Sequence, residues 1–177
     1  HILKDKKPGR TIVFTRTKHG ADRVVRKLLG DGLRAEAIHG NKSQAQRERA
    51  LDAFRSGRCA VLVATDIAAR GIDVSGVDLV VNFELPNVAE QYVHRIGRTA
   101  RAGAAGQAIA FVGEDEGGLL RGIEKLTRQP IEVTALPEGY DAPKVTDPKA
   151  RPPRQKPTGK RPSGPRGGYK RASKKAA

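Results

Sequence analysis

Six short runs of β-branched and aliphatic residues recur along this chain, separated by polar, amphipathic stretches, and the alternation limits its fold more tightly than any other feature. The runs are Thr11 to Thr15, Ala35 to Ile38, Ala60 to Ala64, Leu79 to Phe83, Ala108 to Val112 and Ile131 to Ala135. Each is too short for a stable helix and has the side chains of a strand. The stretches between them predict helices over Gly20 to Leu29, Gln44 to Ser56, Val88 to Ile96 and Gly117 to Thr127. The second has the clearest boundaries: Ser43 can cap it, Gln46 three residues on can reach back, and Gly57 supplies the stop. Strands separated by helices need crossover connections, which favour parallel neighbours and a sheet covered on both faces. The expected fold class is α/β, with three layers around a mostly parallel sheet.

Ligands of such sheets meet the loops at the carboxyl ends of the strands, and the residues best suited to phosphate are expected there. Thr17 follows the first run, His39 and Gly40 the second, and Thr65 to Asp73 the third; His94 to Arg101 ends the helix after the fourth. That last segment holds three arginines and a histidine in eight residues. Arg98 and Arg101 are three apart, so one helical turn or a tight bend aims both guanidinium forks to one side, where they can grip phosphate oxygens in pairs. Arg47 lies on the first turn of the Ser43-capped helix, where cation and backbone amides together favour an anion. Gly40 and Gly71 have no Cβ and would let a sugar-phosphate backbone approach the main chain. Plainer readings stay open for each: a solvated basic loop, ordinary turn glycines, a solvated helix charge at Arg47 and a turn-capping carboxylate at Asp73.

The segments Thr11 to Lys18, Ile38 to Arg47, Val63 to Val74 and Tyr92 to Arg101 stand in the order found in one family. Over roughly Thr11 to Leu136 the chain resembles the C-terminal RecA-like lobe of a DEAD-box RNA helicase. His39 to Gln44 and Asn82 to Asn87 look most like the bacterial RhlE type. The resemblance implies an ATP-dependent RNA helicase in which Arg98 and Arg101 are arginine fingers completing the ATP site from across a cleft, and in which Asp73 holds the ATP ribose. It also implies RNA-backbone contacts from Thr17, Gly40, Arg47, Thr65, Arg70 and Gly71, with Gln44, His94 and Arg95 organising the face between lobes. Such contacts position RNA without reading its bases. One departure is visible: Ala100 stands where the family commonly has glycine, which disfavours a left-handed backbone beside Arg101. No Gly-x-x-x-x-Gly-Lys-Ser/Thr loop and no Asp-Glu-Ala-Asp sequence occurs in the chain. By this reading Mg²⁺ and most of the triphosphate belong to an N-terminal lobe, and the chain alone does not hydrolyse ATP.

Composition divides the chain. Of the formal charge of +15, most lies in residues 144–177, which carry twelve lysines and arginines against the single acid Asp147. Rich in Pro, Gly and Ser, this run lacks the apolar surface to offset chain entropy, and it is expected to be a disordered basic tail that binds RNA. Residues 1–10 are expected to be a linker remnant, 11–136 the domain and 137–143 a second linker. A chain that begins His1-Ile2-Leu3 and has no methionine is expected to be a fragment. Cys59 is the only cysteine, so no internal disulfide can form and a cytoplasmic setting is expected. No apolar run approaches the ~20 residues that cross a bilayer, so no membrane partner is expected. Two rival readings remain: an RNA-binding module without catalysis, and a platform for a protein partner such as a ribonuclease or a ribosome-assembly factor. Paired Arg98 and Arg101 beside Asp73 favour the enzyme, because simple binding does not require them.

Overall fold

Five of the six apolar runs pair into one sheet in the computed structural model, which describes residues 2–6, 8–70, 72, 74, 76–101 and 105–134. The strands are β1 (Thr11–Thr15), β2 (Ala35–Ile38), β3 (Val61–Thr65), β4 (Leu79–Asn82) and β5 (Gln107–Ala110). They run in the order β2-β3-β1-β4-β5, and every pair is parallel. β1 lies at the centre, with Thr11 opposite both Val61 and Leu79. The helices are α1 (Ile2–Lys6), α2 (Lys18–Gly30), α3 (Gln44–Arg55), α4 (Asp66–Ala69), α5 (Ala89–Ile96) and α6 (Gly117–Thr127).

Strand alternation builds two cores. Ile12, Phe14, Leu62, Ala64 and Val80 point to one face and pack with Ala50 and Phe54 of α3 and Ala68 of α4. Val13, Val61, Val63, Leu79 and Val81 point to the other and pack with Ala21, Val24, Val25 and Leu28 of α2. Each large aliphatic side chain buried this way contributes about 1.5–3 kcal/mol. Near the end of the described chain, Tyr92 of α5 and Ile123 of α6 enclose Leu85 in a third cluster. Helix α3 starts as its sequence predicts: Ser43 Oγ accepts from the Gln46 amide at 3.3 Å and Gln46 Oε1 accepts from the Ser43 amide at 2.9 Å. Gly57 follows it at φ +73°, a left-handed stop.

Three expectations need correction. Residues 131–134 form no strand: Ile131 packs against the α5–α6 cluster, its amide donates to Glu124 Oε1 at 3.0 Å, and Val133 is 90% exposed. A β-branched run becomes a strand through the strand beside it, and among the described residues this one has none. β5 begins one residue earlier than expected and ends at Ala110, because the Gln107 amide bonds to Asp78 O at 2.9 Å and so sets the ladder. Within the supposed linker remnant, α1 forms and lays Ile2 and Leu3 against the α2-side core. Residues 137–143 and 144–177 lie outside the described residues.

Candidate phosphate-binding surface

The loops after β1, β2 and β3 are tied to one another at the carboxyl edge of the sheet. Thr17 caps α2, its Oγ1 accepting from the Gly20 amide at 3.0 Å, so its own hydroxyl proton remains to donate outward. One residue on, Lys18 Nζ donates to Asn41 Oδ1 at 3.0 Å and joins the β1 loop to the β2 loop. In the β2 loop the Lys42 amide closes a turn onto His39 O at 2.9 Å, leaving Gly40 exposed at its tip. A Cβ added to Gly40 would meet nothing within 4 Å, and no left-handed backbone requires glycine there. The fold therefore gives this glycine no internal reason. Arg47 Nη2 donates to Ala68 O at 3.3 Å and links α3 to α4. Gln44 stays on its own helix, its Nε2 donating to Glu48 Oε1 at 2.8 Å.

Arg95 is turned into the protein. Its side chain is 1% exposed, and its Nε and Nη2 grip both oxygens of Asp66 at 2.6 and 2.8 Å. Nη1 donates to Asn82 Oδ1 at 3.0 Å and to Glu84 O at 2.8 Å, while the guanidinium lies 5.1 Å from the centre of the Phe14 ring. One fork thus joins α5, the start of α4 and the end of β4. Burying a cation is tolerable only with such complete pairing. Asp66, Asn82 and Phe14 lie within the motif segments but carry no individual role in the sequence reading. The available signal was that Arg95 follows Tyr92 by three residues, on the inward stripe of α5.

The remaining arginines depart from the expectation of a single shared edge. Helix α5 runs back along the sheet, so that Thr99 Oγ1 donates to Val77 O, just before β4 begins. Arg98 reaches back from there: Nη1 donates to Ile72 O at 3.1 Å. Arg101 Nε donates to Gly97 O at 2.7 Å. Between them Ala100 adopts φ +54°, the left-handed conformation that its missing glycine would have eased. The bend is packed from the far side by Gly106, where a Cβ would lie 2.5 Å from the Ala100 nitrogen.

A depression of about 260 Å³ brings Arg70, His94 and Arg98 together above Asp66, Gln91 and Phe14. A second of about 300 Å³ includes Thr65, Arg16, Lys18 and the exposed Ile67, and shares Asp66 and Gln91 with the first. Through Lys18 and Asn41 this surface continues to the Gly40 turn. Arg101, Gln44 and Arg47 line neither depression. Gly71 and Asp73 lie outside the described residues. Arg16, also unmarked by the sequence, ties the β4 and β5 ends together, its amide donating to Glu84 Oε2 at 2.7 Å and its Nη2 pairing with Glu116 Oε1 at 3.2 Å. Among the described residues no three His, Cys, Asp or Glu side chains gather to cage a metal ion.

An all-parallel sheet between helical layers, with a run of cations over its edge loops, defines a RecA-like α/β lobe. The family described as helicase conserved C-terminal domain matches residues 1–103. The chain belongs to that family, as a C-terminal lobe of the DEAD-box kind. It is 46% identical over 142 residues to the ATP-dependent RNA helicase CshA of Listeria monocytogenes, covering 78% of this chain and 27% of that protein. To DEAD-box ATP-dependent RNA helicase 9, mitochondrial, of Arabidopsis thaliana, it is 54% identical over 119 residues, 67% of this chain and 19% of the relative. The chain thus spans roughly a fifth to a quarter of the length of the curated relatives it matches. In structure it is similar to E. coli SrmB, solved bound to regulator of ribonuclease activity A, with a TM-score of 0.74, 38% identity and coverage of 81% of this chain and 86% of that one. It is also similar to S. cerevisiae Dbp5 bound to RNA and ADP BeF3, with a TM-score of 0.64, 38% identity, and 70% and 34% covered.

Proposed function

We propose that this lobe supplies Arg98 and Arg101 as arginine fingers to an ATP site completed by an N-terminal lobe, and that its edge loops hold one RNA strand by its backbone for local, ATP-dependent unwinding. The observation that carries the reading is the depression in which Arg98, steered by Ile72 O, stands with Arg70 and His94. Such cations would stabilise charge spreading over a transferring phosphoryl group, which costs little reorganisation once they are positioned. Asp73 follows Ile72 in sequence and is assigned to the ribose. Thr17, Gly40, Arg47, Thr65, Arg70 and Gly71 are assigned to RNA, and Gln44, His94 and Arg95 to organising the face between lobes, Arg95 from within the protein through Asp66, Asn82 and Glu84. Among the described residues no carboxylate cluster fits a Mg²⁺ cage, and the ion is assigned to the other lobe. The basic residues 144–177 are read as an RNA tether acting through counterion release.

Protein partners belong to the same proposal. SrmB is seen with regulator of ribonuclease activity A, and Dbp5 with Gle1, which supports a docking surface for a ribonuclease-linked or assembly factor on the lobe. The RhlE-like affinity rests on His39 to Gln44 and Asn82 to Asn87, and the cytoplasmic setting on the single cysteine.

The test joins this chain to a matching N-terminal lobe and measures RNA-stimulated ATP turnover. Arg98→Ala and Arg101→Ala are each expected to lower turnover by on the order of 10³-fold while nucleotide-free RNA affinity is kept. An equal fall in RNA affinity would make them RNA ligands and overturn the finger assignment.

A further inference from the structure

We propose that Asp22, an acid beside a surface meant for phosphates, is a positioning residue for RNA: acting through buried His39, it holds the Gly40 turn in its binding shape. The inference rests on the RNA-backbone reading given above. His39 is 2% exposed and both ring nitrogens are used. Its Nδ1 accepts from the Asn41 amide at 3.3 Å. A nitrogen that accepts carries no proton, so the neutral ring has its proton on Nε2, which lies 3.0 Å from Asp22 Oδ1 and donates to it. The same carboxylate oxygen is 3.3 Å from Lys42 Nζ, at the far end of the turn. Lys18 Nζ fixes the middle residue, Asn41, at 3.0 Å. Every residue of the turn except Gly40 is therefore tied down, and Gly40 is the one whose missing side chain the fold does not need.

Coulomb's law alone makes Asp22 a liability. It is 42% exposed on α2, beside Lys42 at the end of the turn, and would repel an incoming phosphate. A merely solvated acid and a positioning acid therefore predict opposite signs when the carboxylate is removed. In the solvated case RNA binds more tightly to Asp22→Ala and to Asp22→Asn alike. In the positioning case Asp22→Ala strands the buried His39 Nε2–H and frees the ring, so binding weakens. Asp22→Asn keeps an oxygen acceptor and restores most of the loss.

The experiment is fluorescence anisotropy with a mixed-sequence single-stranded RNA, on the whole chain joined to its N-terminal lobe, with a non-hydrolysable ATP analogue. Asp22→Ala is expected to weaken affinity about two- to tenfold, the span of one hydrogen bond, with Asp22→Asn close to the parent. Unchanged or tighter binding by Asp22→Ala overturns the proposal, as does an equal loss in both variants. Arg47→Ala, measured alongside, separates the two levels. If it weakens binding while Asp22→Ala does not, only the positioning role falls; if it too has no effect, the RNA reading falls with it.

Discussion

Replacing Arg95 by alanine should unfold this lobe far more readily than replacing any exposed arginine. The substitution removes four hydrogen bonds at 2.6–3.0 Å and the contact with the Phe14 ring. It leaves the Asp66 carboxylate, 22% exposed, without its cation. It also strips Asn82 Oδ1 of its donor in a side chain whose Nδ2 already has no partner. Breaking a buried pair from one side costs about 3–5 kcal/mol, a large part of the roughly 5–15 kcal/mol that holds a domain together. At about 2–8 °C per kcal/mol, the range that brackets a domain of this size, the midpoint should fall by at least about 6 °C. Arg95→Lys keeps the charge but loses the fork, and should fall between. Thermal unfolding of the chain followed by circular dichroism is the assay. A midpoint within about 2 °C of the parent would refute the reasoning that this buried fork holds α4, α5 and β4 together.

Two further substitutions test backbone rather than charge. Gly40→Ala should raise stability by about 0.4–1 kcal/mol through the unfolded chain, because nothing lies within 4 Å of the new methyl, yet it should weaken RNA affinity; a lower melting temperature would show that the turn needs glycine for itself. Ala100→Gly relieves a left-handed alanine at φ +54° that costs about 1–2 kcal/mol, offset by about 0.4–1 kcal/mol of added chain freedom. Denaturant unfolding should show a small net gain, and a loss would mean that the bend beside Arg101 is not left-handed in solution.

The central strands were legible because a parallel strand is buried on both faces and must be apolar throughout, as Ile12 to Phe14 and Val61 to Ala64 are. The limits of α3 were legible because a cap is local chemistry, complete within Ser43 to Gln46. Legibility failed where the deciding neighbour is distant in sequence. Ile131 to Thr134 has strand-like residues and no strand beside it among the described residues. The four-residue α4 has too little periodicity to be seen. The inward turn of Arg95 was not legible because its partners, Asp66 and Asn82, are set by topology rather than by spacing. In the site, the order of Thr17, Gly40, Thr65 and Arg98 could be read, whereas the return of α5 along the sheet, which takes Thr99 to Val77 and lets Arg98 reach back, could not.

Because β1 lies at the centre of the sheet, its folding waits on much of the chain. Its partners begin at Val61 and Leu79, and neither exists until synthesis has passed well beyond β1. Until then Thr11 to Thr15, buried along its whole length in the finished lobe, offers both unpaired edges to whatever it meets. Strand pairings closed over long loops are slow to form and leave such edges open to aggregation. Formation of the lobe on the ribosome should therefore be gated by emergence of β3, with β4 closing the other side of β1. Nascent chains arrested between Arg58 and Val77 should be the most dependent on chaperones.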